Sequence, residues 1–315
     1  NNNNTMKKNI CIFIIIFSFS IASTTQTKNN NNNSGYYRAA VIEYKSTITI
    51  DPKLINTSFI QNNLDDYYLI TKQAAEDGAQ IIVFPEYGLY HGDFYRDSML
   101  PFLEVIPDPS LSSDPVMLAK YRKTHLYFER SLQEHKATAV TFDTSFGVTF
   151  GIMICSDINY KQPLDMILAM GVRNVILSSA WYNFSFLSAI EMAQAWSYLR
   201  KSTLLLSGIG SSFERSGTGI FSNGVILASA YNPTTISRTQ ILIIDVPIDP
   251  SSTVFTSLNI SGNFETDNRQ LFPGMATYPN GNYLGEYVNQ DTHFSASNIE
   301  HPLISMHMRS MKWVD

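Results

Sequence analysis

Cysteine is nearly absent from this chain: Cys11 and Cys155 are the two thiols in 315 residues. That scarcity excludes a disulfide scaffold and a cysteine-rich zinc module. Basic charge is also short, with 22 Lys and Arg against 27 Asp and Glu for a net charge of -5, and no basic run exceeds two residues, as at Arg200-Lys201. A surface without a basic stripe cannot neutralise a row of phosphates, so nucleic acid is excluded as a partner. The six histidines are scattered, with only His301 and His307 near each other, and no metal site or cofactor is expected. One apolar run stands out, Ile10 to Ile21. It is short for a bilayer span and no second run follows, so no stable membrane anchor is expected, and Met306 to Asp315 is too mixed and charged for a lipid-anchor signal.

What is present is globular in character, since 44% of the residues are hydrophobic. The basic Met6-Lys7-Lys8, the apolar run and the small-x-small triplet Ser20-Ile21-Ala22 together read as a secretory signal peptide over residues 1–22. Residues 23–35, with five asparagines in a row from Asn29 to Asn33, hold no apolar surface to bury and read as a disordered linker. The expected location is outside the cell or in an endomembrane lumen, where glycan acceptors occur at Asn32, Asn56, Asn183 and Asn259. Loss of the leader leaves Cys155 as the one thiol, either a buried small hydrophobe or a reactive group.

From Tyr36 the pattern alternates β with α. Strands are expected at Ala39 to Tyr44, Gln80 to Phe84, Ala139 to Phe142, Val148 to Ile154, Asn174 to Ser179, Thr203 to Ser207, Gly224 to Ser229 and Thr239 to Val246. Between them, Leu64 to Ala75 looks helical with Leu64, Tyr67, Tyr68, Ala74 and Ala75 near one face. Pro163 starts a helix that stops at Gly171, and Phe186 to Lys201 forms a longer one. Pro85-Glu86 puts a carboxylate just past the C-terminal end of a strand, where ligand sites of α/β sheets lie. Cys155 occupies the same place after Val148 to Ile154. Residues after Pro247 are polar and weakly periodic, a short extension over 248–315.

Three segments in order, Ile81-Ile82-Val83-Phe84-Pro85-Glu86, Tyr121 to Glu129 around Lys123, and Gly151-Ile152-Met153-Ile154-Cys155-Ser156-Asp157, resemble the signatures of the carbon-nitrogen hydrolase (nitrilase) superfamily. Tyr95-Arg96-Asp97-Ser98, Ile106-Pro107-Asp108-Pro109, Phe142-Asp143-Thr144, Ala180-Trp181-Tyr182-Asn183, Ser188-Ala189-Ile190-Glu191 and Ser216 to Ile220 look like its biotinidase and vanin branch. The resemblance spans residues 36–247. It implies an α/β four-layer α-β-β-α sandwich and a secreted thiol amidohydrolase acting on a small-molecule linear amide, pantetheine-like or biotinyl. By the same resemblance Cys155 is the nucleophile, Glu86 the general base, Lys123 the oxyanion stabiliser and Glu129 a support for Lys123. Trp181 and Asn183 are substrate contacts.

The chain also departs from that pattern. Glu86 and Lys123 are 37 residues apart, too few for the helix and two strands the superfamily places there, whereas the 32 from Lys123 to Cys155 fit. The fold is therefore expected to lack those elements in its first half. A catalytically impaired paralogue, or a chain missing an exon, is the alternative to an active amidase; an adhesive secreted protein rests on the sequons alone.

Overall fold

The structure, a computed structural model, describes residues 16–18, 35–46, 58–90, 118–129, 132–183, 188–210 and 215–253. The linker, most of the leader, the Asn32, Asn56 and Asn259 sequons, the Pro109 to Pro115 run and most of the 248–315 extension lie outside these residues.

Among the described residues, ten strands make two sheets. The first holds β1 (Ile16–Ser18), β2 (Tyr36–Glu43), β3 (Ile81–Val83) and β10 (Gln240–Pro247) in the order β1-β3-β2-β10. The second holds β4 (Thr141–Asp143), β5 (Thr149–Ile154), β6 (Asn174–Ser178), β7 (Thr203–Ser207), β8 (Thr218–Ser222) and β9 (Val225–Ala230) in sequence order. Helix α1 (Ser58–Glu76) joins β2 to the parallel β3, α2 (Leu164–Ala169) joins β5 to β6, and α3 (Ala189–Arg200) joins β6 to β7, all parallel pairs. Parallel neighbours require such crossovers.

The pleat of β2 assigns the layers. Ala40 and Ile42 pack with Tyr67 and Ala74 of α1, whereas Ala39 and Val41 face the core shared with the second sheet. Beyond that sheet, α2 lies so close on β5 that a Cβ at Gly151 would sit 2.5 Å from Ile167. The result is the four-layer α-β-β-α sandwich. Serines at strand ends tie the two sheets, Ser178 donating to the Phe84 carbonyl at 2.7 Å and Ser207 to the Ile42 carbonyl at 2.5 Å.

The buried face of α1 differs from the expected one. Leu64 and Tyr68 are exposed, at 38% and 70%, and Asn63, Tyr67 and Ala74 take the inner positions. Asn63 can be buried because its amide is satisfied, accepting from Tyr44 Oη at 2.8 Å and donating to the Leu89 carbonyl at 2.9 Å. Ser216 to Ile220, read as a turn before a strand or as a motif, leads directly into β8.

Residues 118–129 and 132–140 contain neither helix nor strand; residues 91–117, most of the Glu86 to Lys123 interval, lie outside the described residues. On the side of β3 away from β2, the backbone of Ile16–Ser18 pairs antiparallel with Ile81–Val83. Residues 16–18 thus supply backbone hydrogen bonds to an edge of β3.

Candidate active site

Three segments meet at the C-terminal ends of β3 and β5. Glu86 follows β3 and Phe84-Pro85; it is fully buried. Lys123 and Glu129 come from the irregular 118–129 segment and are also buried. Cys155 ends β5 and opens a 3-10 turn, Cys155–Asn159. Its φ of 44° is left-handed, a conformation that costs a side-chain-bearing residue roughly 1–2 kcal/mol.

Asp157 holds that turn. Its carboxylate accepts from Ile154 N at 3.1 Å, from Tyr121 Oη at 2.8 Å and from His125 N at 2.9 Å. Ser156 Oγ donates to the His125 carbonyl. The Cys155 turn and the Lys123 segment are thereby tied together by side-chain hydrogen bonds. Asp157 lies three residues after Ile154, the spacing of a cap at a helical N-terminus, and that is the sequence signal by which its role can be read.

Lys123 Nζ sits between two carboxylates, 2.8 Å from Glu86 Oε1 and 2.9 Å from both oxygens of Glu129. The other oxygen of Glu86 accepts from Ala180 N at 3.0 Å. Burial raises the Glu86 carboxyl above its ordinary value; Lys123 opposes the rise and Glu129 adds to it. Burial pulls the Lys123 ammonium down, but the charges of Glu86, Cys155 and Glu129 outweigh it and hold the ammonium well above its usual range. The Cys155 thiol is pushed up to about 12, first by burial and then by Glu86, with Lys123 pulling it down. Such a thiol is protonated at neutral pH and needs a base. The charge of Glu86 acts on that thiol directly.

Trp181 is buried beyond Ser179-Ala180, in the same segment whose backbone meets Glu86. Asn183 is engaged by backbone at both ends of its amide, donating to the Ser216 carbonyl at 2.6 Å and accepting from Ala189 N at 2.9 Å. It therefore clamps the entry to α3 to the 215–218 loop. Tyr87 had no role assigned from sequence; its phenol donates to Glu129 Oε1. Among the described residues, no three His, Cys, Asp or Glu are grouped to hold a metal ion.

No family profile matches the chain. A biotinidase of Takifugu rubripes is 28% identical over 258 residues, covering 59% of this chain and 51% of that protein. A pantetheine hydrolase of Homo sapiens is 28% identical over 251 residues, covering 59% and 48%. Vanin-like protein 1 of Drosophila melanogaster is 37% identical over 109 residues, covering 34% and 20%. The chain spans about half the length of the biotinidases it matches. Among solved structures, a mutant of the amidase from Nesterenkonia sp. AN1 in complex with butyramide aligns with a TM-score of 0.53 at 15% identity, over 71% of this chain and 96% of that one. Another mutant, showing Michael addition of acrylamide at the active site cysteine, aligns with a TM-score of 0.52 at 16% identity, over 69% and 95%. The chain thus has the fold of these amidases and is similar in sequence to biotinidases and a pantetheine hydrolase, in keeping with the resemblance its three segments bear to the biotinidase and vanin branch of the carbon-nitrogen hydrolases.

Proposed function

We propose that the protein is a thiol amidohydrolase that cleaves a linear amide, pantetheine-like or biotinyl, through a Cys155 acyl-enzyme. The observation that carries this reading is the seating of Lys123 Nζ against Glu86 at 2.8 Å, with the charge of the same carboxylate acting on the buried thiol of Cys155. In the reaction Glu86 takes the thiol proton and the Cys155 sulfur attacks the amide carbonyl. Lys123 neutralises the oxyanion as it forms. Collapse breaks the carbon-nitrogen bond, and Glu86 returns the proton to the leaving amine. Water, deprotonated by Glu86, then hydrolyses the thioester, releasing the acid and restoring the thiol. Glu129 holds Lys123 charged, and Trp181 lines the acyl pocket. The assembled trio favours this active enzyme over an impaired paralogue. The basic start and apolar run of residues 1–22 support secretion or an endomembrane location, which fractionation of the expressed protein and its N-terminal sequence test.

The decisive assay compares wild type with Cys155→Ala on pantetheine and biocytin, with mass spectrometry for an acyl adduct on Cys155. Activity is expected to vanish in Cys155→Ala while the fold persists. Equal turnover by both proteins overturns the reading.

A further inference from the structure

Glu129 is gripped at both oxygens. Oε2 accepts from Tyr127 N at 2.9 Å and from Lys123 Nζ at 2.9 Å; Oε1 accepts from Lys123 Nζ at 2.9 Å and from the phenol of Tyr87. Tyr127 and Lys123 belong to the same segment as Glu129, and of the two only Lys123 reaches Glu86, through its ammonium. Tyr87 adds a second tie that does not run through the ammonium, because it is covalently next to Glu86.

The turn that carries Tyr87 is rigid by construction. Tyr87 has φ 59°, a left-handed conformation in which a tyrosine is strained, and aims its half-buried ring back over the site. The next residue must be glycine, since a Cβ at Gly88 would lie 1.8 Å from Tyr67 Oη. Tyr67 is itself stacked on Phe84 with ring centroids 3.7 Å apart. Burial, and then the charges of Glu86 and Glu129, hold the phenol well above its usual pKa, so it remains a proton donor across the working range.

We infer that Tyr87 is a positioning residue: by donating to Glu129 it ties the glutamate segment to the lysine segment and sets the place of the ammonium between Glu86 and Glu129, from which its charge acts on Cys155. This tie acts where the chain between Glu86 and Lys123 is short. The charged and titratable groups that face it are Glu86, Lys123, Glu129 and Cys155. Without the phenol, the Glu129 carboxylate is free to swing with Lys123, and the ammonium leaves the thiol's field. The inference rests on the roles proposed above for Glu86, Lys123 and Cys155.

The test uses a readout that needs no turnover, the rate at which iodoacetamide alkylates Cys155 in the full-length chain, followed on the Cys155 peptide by mass spectrometry. Tyr87→Phe removes one oxygen. The expected result at pH 7.5 is alkylation slowed about tenfold and kcat lowered by a similar factor, with KM within about twofold and the melting temperature within a few degrees. Alkylation within about twofold of wild type, or a loss confined to KM, overturns the inference. If Tyr87→Phe does not fold, 3-fluorotyrosine placed at position 87 keeps the shape and strengthens the donor. Alkylation at least as fast as wild type then supports the inference, and about tenfold slower alkylation overturns it. A wild type that cleaves no amide but loses thiol reactivity in Tyr87→Phe refutes the amidase reading and leaves the positioning role standing. An active wild type with unchanged reactivity in Tyr87→Phe does the reverse.

Discussion

Lys123→Met is the perturbation that asks most of the site. The ammonium lies 2.8 Å from Glu86 and 2.9 Å from Glu129, and the side chains of all three are at most 6% exposed. Methionine fills the space of the lysine stem but leaves two buried carboxylates facing each other without a cation. Removing one partner of a buried ion pair costs about 3–5 kcal/mol, which for a domain of this size lowers the melting temperature by roughly 6–20 °C. The loss depends on pH with a definite sign. The folded-state value of Glu86 is already above its ordinary 4.5, and without Lys123 it loses its main downward pull and rises further. A group raised on folding contributes stability in full below its unfolded value, and that contribution is lost as pH climbs through the folded value. The Met variant is therefore expected to melt far below wild type at pH 8 and to recover most of the difference by pH 5, where the carboxyls take up protons. Paired thermal melts at the two pH values measure it, and if Lys123 stabilises the oxyanion as proposed, turnover at pH 8 falls by about a hundredfold to a thousandfold. A melting-temperature deficit equal at both pH values, or none, refutes the placement of Lys123 as the counter-ion of two buried glutamates.

Four further outcomes are expected. The raised carboxyl of Glu86 should place the acid limb of kcat/KM above the ordinary carboxylate range; a limb at or below pH 4.5 in the pH–rate profile contradicts its role as base. Asp157→Asn puts an N–H against a pocket of donors, Tyr121 Oη, His125 N and Ile154 N, and should cost about 1–3 kcal/mol in denaturant titration, with kcat falling more than KM rises. Glu43, fully buried at the end of β2 and bonded to Ser216 Oγ and Gly217 N, is raised by burial from 4.5 to about 7, so wild type should lose roughly 3 kcal/mol between pH 5 and pH 8 that Glu43→Gln does not lose. Asn183 should carry no glycan in protein recovered from a secretory host, because its amide nitrogen already donates to the Ser216 carbonyl; a modified Asn183 peptide in mass spectrometry would show that clamp to be open.

The sequence by itself determined the α/β alternation, because β2, β3 and β5 to β7 are apolar runs whose length and punctuation admit one reading, and β7 falls where its run predicts. It also singled out Cys155 and Glu86, since a strand end is legible locally and cysteine is scarce. The tertiary structure decided what depends on partners distant along the chain. The buried face of α1 turns on Asn63, whose polar side chain is tolerable only because Tyr44 and the Leu89 carbonyl come to meet it. The lysine segment has no periodicity to read; it is placed by hydrogen bonds that Tyr121 and His125 donate to Asp157, 36 and 32 residues away. Tyr87 reaches Glu129 across 42 residues, and Glu86 receives Ala180 N across 94. Periodicity fixes which face of an element is apolar, a property of neighbours in sequence; a buried carboxylate's donors are set by which strand ends the packed sheets bring to one point, and that is decided only when the core closes.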